Sequence, residues 1–422
     1  MSRIDDLIAE LCPDGVPYKP LGEVGVFARG NGLQKSDLTD EGLPAVHYGQ
    51  VHTYYGVSTD TTKSFTTPNL YARLRHAKPG DLIIATTSED TESVGKATAW
   101  IGEGEVAVSG DAYVFSHSME SKFVSYFFNS RSFHEQKLRF VTGAKVRRIS
   151  GDAMAKIIIP VPPLEVQREI VRVLDQFTQL EAELEAELEA RRRQYEFYRD
   201  CLLAFDTHTH THTHRTSVRW VTMSEFGSFY GGLSGKSKVD FADGNSRFIS
   251  YANVFKNIAT DLGAEDFVRV NAGEKQNMVA RGDVLFTGSS ESADEVAMSS
   301  VVQETPGESI YLNSFSVGYR PFDQQELDPA FSKHLFRSSR MRRQLIRCAS
   351  GVTRFNVSKK RLGRVQVPIP SRDSQVQIAR TLDKFDALVN DLSVGLPAEL
   401  AARRKQYEYY RDKLLTFKEL PA

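Results

Sequence analysis

Two glycine-led stretches carry the side chains best suited to chemistry on a polyanion. Gly143 is followed by Lys145, Arg147 and Arg148, and Gly351 by Arg354, Asn356, Lys359, Lys360 and Arg361. Ammonium and guanidinium groups pair with phosphate oxygens, while amides and imidazoles match the donor and acceptor pattern of base edges. Earlier in each half lie further candidates, Gln50 and His52 in the first, Asn253 and Lys256 in the second. Gln50, His52, Lys145, Arg147, Arg148, Asn253, Lys256, Arg354 and Asn356 are the candidate contact residues for such a ligand. Lys359, Lys360 and Arg361 are expected phosphate contacts.

The surrounding charge supports that chemistry although the net charge is only −1. From Ser332 to Arg364 there are eleven Lys or Arg and no acid; Ser121 to Ser150 has seven against Glu135 alone. Paired basic spans on globular units suggest phosphate contact. Catalytic signatures are missing. Gly231 to Ser237 resembles a phosphate loop, but Tyr230 stands where its first glycine belongs. There is no GxGxxG, HExxH, paired Cys-x-x-Cys or GxSxG. The one Pro-Pro, Pro162-Pro163, lies outside any Asn/Asp-Pro-Pro-aromatic tetrapeptide of an adenine methyltransferase. A non-catalytic binding chain is expected, with no metal site.

The elements that position these residues occur twice. Ala190 to Phe205 reads ARRRQYEFYRDCLLAF and Ala402 to Phe417 reads ARRKQYEYYRDKLLTF, 212 positions later in a chain of 422. An internal repeat of this kind sets the architecture. Upstream of the first copy, no Gly or Pro interrupts Leu164 to Phe205, and apolar residues recur in steps of three and four. That spacing is the seam of a coiled coil or bundle helix, and the second copy supplies a partner within the chain. Leu180, Leu184, Leu188, Tyr195, Tyr198, Leu202, Tyr407, Tyr410 and Leu414 are the expected seam and partner-contact residues. The second copy holds four extra residues including Gly395 and Pro397, so a break or kink is expected there.

Each half otherwise reads as short β-like runs, among them Ala45 to Val51 and Phe248 to Val254, then a buried strand from Leu82 or Val284. A helix with a basic face is expected over Phe123 to Arg139 and over Phe331 to Arg347. The glycine loop follows, then a strand ending in Pro-x-Pro at Pro160 and Pro368 that redirects the chain into the long helix. Expected boundaries are 1–163, a first globular domain; 164–205, the first long helix; 206–217, a Thr/His linker; 218–370, a second globular domain; and 371–418, a second helix kinked near 395–397. Hydrophobic residues at 41% and charged residues at 25% fit a globular protein, and no apolar run reaches the ~20 residues of a membrane span. Three scattered cysteines and an acidic N-terminus fit a reducing cytoplasm.

Taken in order, these features resemble the specificity subunit of type I restriction–modification systems. The resemblance rests on Cys12-Pro13-Asp14-Gly15-Val16-x-Tyr18, Pro20 to Val24, the strands into Pro-x-Pro, the Gln-x-x-Ile starts at Gln167 and Gln375, and the Arg-Arg-x-Gln-Tyr-x-x-Tyr-Arg-Asp runs. It implies an α+β fold: two α/β target-recognition domains, separated by a pair of long antiparallel coiled-coil helices, in a pseudo-twofold repeat. Each domain would read one half of a split site in double-stranded DNA. The helices would dock two modification subunits carrying S-adenosylmethionine, which methylate adenine. Restriction subunits would add ATP- and Mg-dependent translocation and cleavage, leaving no cofactor in this chain. A coiled-coil adaptor that binds no DNA, and an enzyme with an unrecognised site, are the alternatives.

The tetrads at Leu180, Leu184 and Leu188 predict a ruler. One added LEAE lengthens the helix by roughly 6 Å and turns it by a net 40° or so. DNA rises about 3.4 Å and twists roughly 35° per base pair, at about 10 to 10.5 base pairs per turn. Inserting LEAE after Glu187 should therefore leave both half-sites unchanged and lengthen their spacer by one or two base pairs, read by methylation mapping. An active variant with an unchanged spacer would refute the ruler.

Overall fold

The structure, a computed structural model, describes residues 3–205, 218–391 and 393–421. The Thr/His linker expected at 206–217 lies outside the described residues. The chain forms two compact units, one of Met1–Glu185 with Leu400–Ala422, the other of Ala186–Glu399. The units thus do not follow the half-chain repeat. The long helix Leu164–Leu202 contributes to both, and each copy of the repeated run belongs with the globular part of the other half.

In the first unit a five-stranded sheet runs in the order Gly25–Arg29, Ala112–His117, Leu82–Ala85, Ala97–Trp100, Ser58–Thr59. Its central strand Leu82–Ala85 is buried on both faces. Side chains alternate along a strand, so Leu82 and Ile84 enter one core with Phe115, Phe123, Phe127 and Phe133, while Ile83 and Ala85 enter another with Val46, Val51 and Trp100. The second unit repeats the arrangement with Gly227–Gly231, Ser316–Pro321, Val284–Thr287 and Ser299–Val301.

Three sequence expectations change. The β-like runs stop early: strands Leu43–Val46 and Ser246–Ile249 give way to helices Tyr48–Thr53 and Tyr251–Lys256. Polar caps cause this, His47 Nδ1 accepting from Gly49 N and Ser250 Oγ from Asn253 N. Each long basic helix is instead two, Ser121–Phe128 with Arg131–Lys137 and Pro329–Leu335 with Ser339–Ile346. Ser130 and Ser338 restart them, their hydroxyls accepting from Phe133 N and Met341 N. The leucines of the tetrads also do not form one buried row: Leu180 is exposed, Leu184 half-buried and Leu188 buried. Steps of four advance about 40° around a helix each time, so successive leucines rotate inward.

The strands Ile158–Pro160 and Gln366–Ile369 each lead through Pro-x-Pro into a helix. Gln167 and Gln375 are buried in the first turns. Gln167 accepts from Glu120 N and donates to the Pro162 carbonyl; Gln375 accepts from Asp328 N and donates to the carbonyls of Glu326 and Pro370. These bonds tie each helix start to its domain and explain the repeated glutamine. In the second copy the helix Arg372–Asn390 ends and Leu396–Leu414 begins, with Pro397 in its first turn, where the missing N–H costs nothing.

Helices pair within each unit. In the first, Phe177 stacks on Tyr410 at 5.5 Å and Arg404 pairs with Glu181 and Glu185. Numbering rises on one helix as it falls on the other, so the pair is antiparallel. In the second, Tyr198 stacks on Phe385 at 5.3 Å. Tyr195 is buried, and its hydroxyl donates to His334 Nδ1 at 3.0 Å, while His334 Nε2 donates to Asp383 at 2.6 Å. At the matching place in the first unit, Tyr126 donates to Asp175 at 2.7 Å and packs edge-on against Tyr407.

This exchange of tyrosine for histidine predicts unequal acid sensitivity. Burial holds His334 below its ordinary pKa and Lys333 pushes the same way, against the pull of Asp383 and Asp386. Hydrogen bonds from His334 and Lys333 hold Asp383 low against its burial. A lowered folded pKa gives stability that is present above the unfolded value and lost as pH falls, for both groups. Between about pH 7.5 and 5.5, across the usual histidine value, amide-exchange protection of residues 195–203 should drop more than that of 407–415. Equal losses would show that His334 does not set the difference.

Candidate nucleic-acid interface

Each central strand runs on into two polar residues that carry a hairpin. In the first unit Thr87–Ser88 pairs antiparallel with Arg147–Arg148, and Thr142 bridges to Arg148. In the second, Ser289–Ser290 pairs with Phe355–Val357, which also pairs with Ala349–Ser350. Gly143 has φ +95° and Gly351 φ +148°, and a Cβ at either would strike the carbonyl three residues on, of Val146 or Arg354. Only glycine closes this turn without strain.

The hairpins bring together most of the expected cations. Lys145 and Arg148 are exposed, and Arg147 bends back to the Gly143 carbonyl. Arg354 is exposed and reaches Ser289 Oγ at 3.0 Å, with Asn356 exposed beside it. Lys359, Lys360 and Arg361 form a short exposed helix, Lys359–Leu362, capped by Ser358. Lys256 is exposed at the end of its own helix. Such a surface can neutralise phosphates and offer donors to base edges.

Other expected readers serve the domain instead. Gln50 donates to Ser64 Oγ at 2.7 Å and accepts from His47 N at 3.0 Å, closing a capping box. Asn253 is buried and binds both the N–H and the carbonyl of Asp261, clamping a loop. Neither amide is available to a base. His52 Nε2 donates to the Thr87 carbonyl at 2.9 Å, directly beneath the hairpin. Burial lowers its pKa, so a neutral ring supports the platform.

The basic spans are likewise only partly a surface. Lys137 is 3% exposed and donates to the carbonyls of Glu92 and Val94, burial lowering its pKa to about 8. Arg337 donates to the carbonyls of Ser299, Phe255 and Val254, and Arg342 to those of Ala297, Val296 and Asp294. Burial brings both arginines down to about 10, still cationic at neutral pH. Loops behind each hairpin offer carbonyls that are mostly part-buried, and these side chains supply the donors. Thr87, Ser88, Ser289 and Ser290 were not among the expected residues. Small polar residues following one position after each buried strand were their signal in the sequence.

Of the expected seam residues, Tyr195 turns into its own unit against His334, while Tyr407, Leu202 and Leu414 are half-buried. Tyr198 and Tyr410 remain partly exposed although stacked. Among the described residues no helix is long and apolar enough to cross a membrane, and no group of three or more His, Cys, Asp or Glu could hold a metal.

Fold and site together define an internally duplicated α+β protein with one cation-bearing hairpin per copy and antiparallel helix pairing. The family model described as "Type I restriction modification DNA specificity domain" matches residues 13–190 and 263–402. The chain therefore belongs to the type I restriction modification DNA specificity family. It is 32% identical over 278 residues to the type I restriction enzyme EcoR124I/EcoR124II specificity subunit of Escherichia coli, covering 64% of this chain and 65% of that protein, slightly under two thirds of its length. Two solved structures share the fold. One, reported for complex assembly and conformational transition of the type I R-M system, gives a TM-score of 0.62 at 18% identity, covering 96% of this chain and 98% of that one. The other, the HsdS subunit from Thermoanaerobacter tengcongensis, gives 0.50 at 19%, covering 96% and 97%. Nothing in these likenesses supports the adaptor alternative.

The two kinds of cation predict separable effects. Changing Lys359 and Lys360 together to Ala should weaken duplex binding alike on all sequences and reduce the salt slope by about 1.8, at roughly 0.9 per phosphate. Arg337→Ala should leave that slope intact and instead lower unfolding stability by about 3 kcal/mol, because buried carbonyls lose their donor. A changed slope for Arg337→Ala alone would reverse the assignment.

Proposed function

We propose that this chain is the DNA-specificity subunit of a type I restriction–modification complex. Each globular domain reads one half of a bipartite target through its glycine-turned hairpin. The duplicated hairpin, built on domains of the specificity family, is the observation that carries this reading. The chain does no chemistry itself. S-adenosylmethionine binds to two modification subunits that methylate adenine, and ATP and Mg bind to restriction subunits, all in the cytoplasm.

A docking surface for the modification subunits follows from the repeated run. Phe197 is 63% exposed and Tyr409, 212 positions later, is 61% exposed. Large aromatics held at equivalent exposed positions of two helices fit two copies of one partner, since aromatics dominate interface energetics.

Exchanging the segment between Val24 and Ser150 for that of another specificity subunit should change one half of the methylated site and leave the other intact. A change in both halves would rule out independent reading. Phe197→Ala and Tyr409→Ala should each weaken capture of a modification subunit about tenfold or more, as a buried aromatic anchor would. Unaltered capture by the double variant would place docking elsewhere.

A further inference from the structure

The two domains share a backbone position whose side chain differs in kind. In the first, Ser109 N donates to the Val46 carbonyl and Thr86 N to that of Asp111. In the second, Asn313 N donates to the Ile249 carbonyl and Gly288 N to that of Phe315. Asp111 and Phe315 therefore occupy one place on a common frame, next to the strand that carries the hairpin. Asp111 faces Arg29 at 3.8 Å, and Arg29 Nε donates to the Gly110 carbonyl at 2.9 Å. The first domain thus presents a polar pair there and the second an aromatic ring.

Phe315 is 59% exposed, yet its backbone is held at both ends. Its N–H donates to Asn313 Oδ1 at 2.9 Å and its carbonyl accepts from Gly288 at 2.7 Å. Asn313 is buried, its amide donating to the Ile249 carbonyl and to Ser316 Oγ. A Cβ at residue 288 would press on the Phe315 carbonyl at 2.6 Å, so glycine allows the close approach. The Arg354 guanidinium lies 5.9 Å from the ring centre, and Lys359 Nζ lies against Gly231 on the neighbouring strand. A water-facing aromatic ring on a held backbone, with Arg354 over it and Lys359 on the adjacent strand, suits neither a core nor an ordinary solvated surface. It suits insertion between bases, where the apolar ring gains a partner and nearby cations meet the backbone.

We propose that Phe315 is a wedge that the second domain inserts at a base step of its half-site, with Arg354 and Lys359 on the adjoining phosphates. This rests on the proposed reading of DNA. The step unstacked is a pyrimidine–purine step, where unstacking costs least. The first domain, with Asp111 in that place, reads its half-site without a wedge.

The test uses the full-length chain with the subunits that co-purify with it. A duplex selected by the wild type from a random library supplies the target, and 2-aminopurine replaces in turn each adenine except the methylated ones, which the modification subunits flip out themselves. Binding should raise the fluorescence at one step of one half-site. Phe315→Ala should abolish that rise and weaken binding roughly ten- to a hundredfold, the range for losing one stacked base. Phe315→Trp should keep the rise, and Asp111→Ala should leave it unchanged. Thermal melting checks that Phe315→Ala folds, and Phe315→Gln replaces it if it does not. A rise that persists without the ring, or binding within twofold of wild type, would overturn the wedge. A wild type that selects no sequence would instead refute DNA reading itself.

Discussion

Loop carbonyls met by cationic donors from within the protein frame the hairpin-bearing face of each unit. Lys137 answers those of Glu92 and Val94, and Arg337 and Arg342 answer seven in the second unit. An unmet buried carbonyl costs about 1–3 kcal/mol, so these cations fix the loops that frame the hairpins. With the loops fixed, the hairpin strands lie on a two-residue extension of a strand buried on both faces.

The same physics explains why the two domains keep a common frame while differing at the surface. Glycines at 143 and 351 close the same turn, and the buried glutamines 167 and 375 make the same bridge from helix start to domain. Around this frame the exposed residues change freely, since no packing restrains them. Inside it, even the exchange of Tyr126 for His334 keeps a hydrogen bond to the matching aspartate, Asp175 or Asp383.

The helices obey a related rule. Phe177 stacks on Tyr410 and Phe385 on Tyr198, so each repeated run uses the equivalent tyrosine against the phenylalanine of the opposite helix. This reciprocal pairing needs an antiparallel arrangement of two near-identical segments. Duplication of one unit therefore generates both partners of each contact.

Several properties could be read along the chain. Repeat and offset are one-dimensional, as are the Pro-x-Pro stops and the break at Gly395 to Pro397, because proline and glycine limit the backbone wherever they occur. The glycine loops at 143 and 351 were legible for the same reason, though not the strand pairing that makes them hairpins. Tertiary structure decided what depends on neighbours through space. It turned Lys137, Arg337 and Arg342 inward, committed Gln50 and Asn253 to local bonds, and split the long helix between two units. A cation or amide has the same letter whether it meets water or a buried carbonyl, and only folding determines which partner lies within about 3 Å.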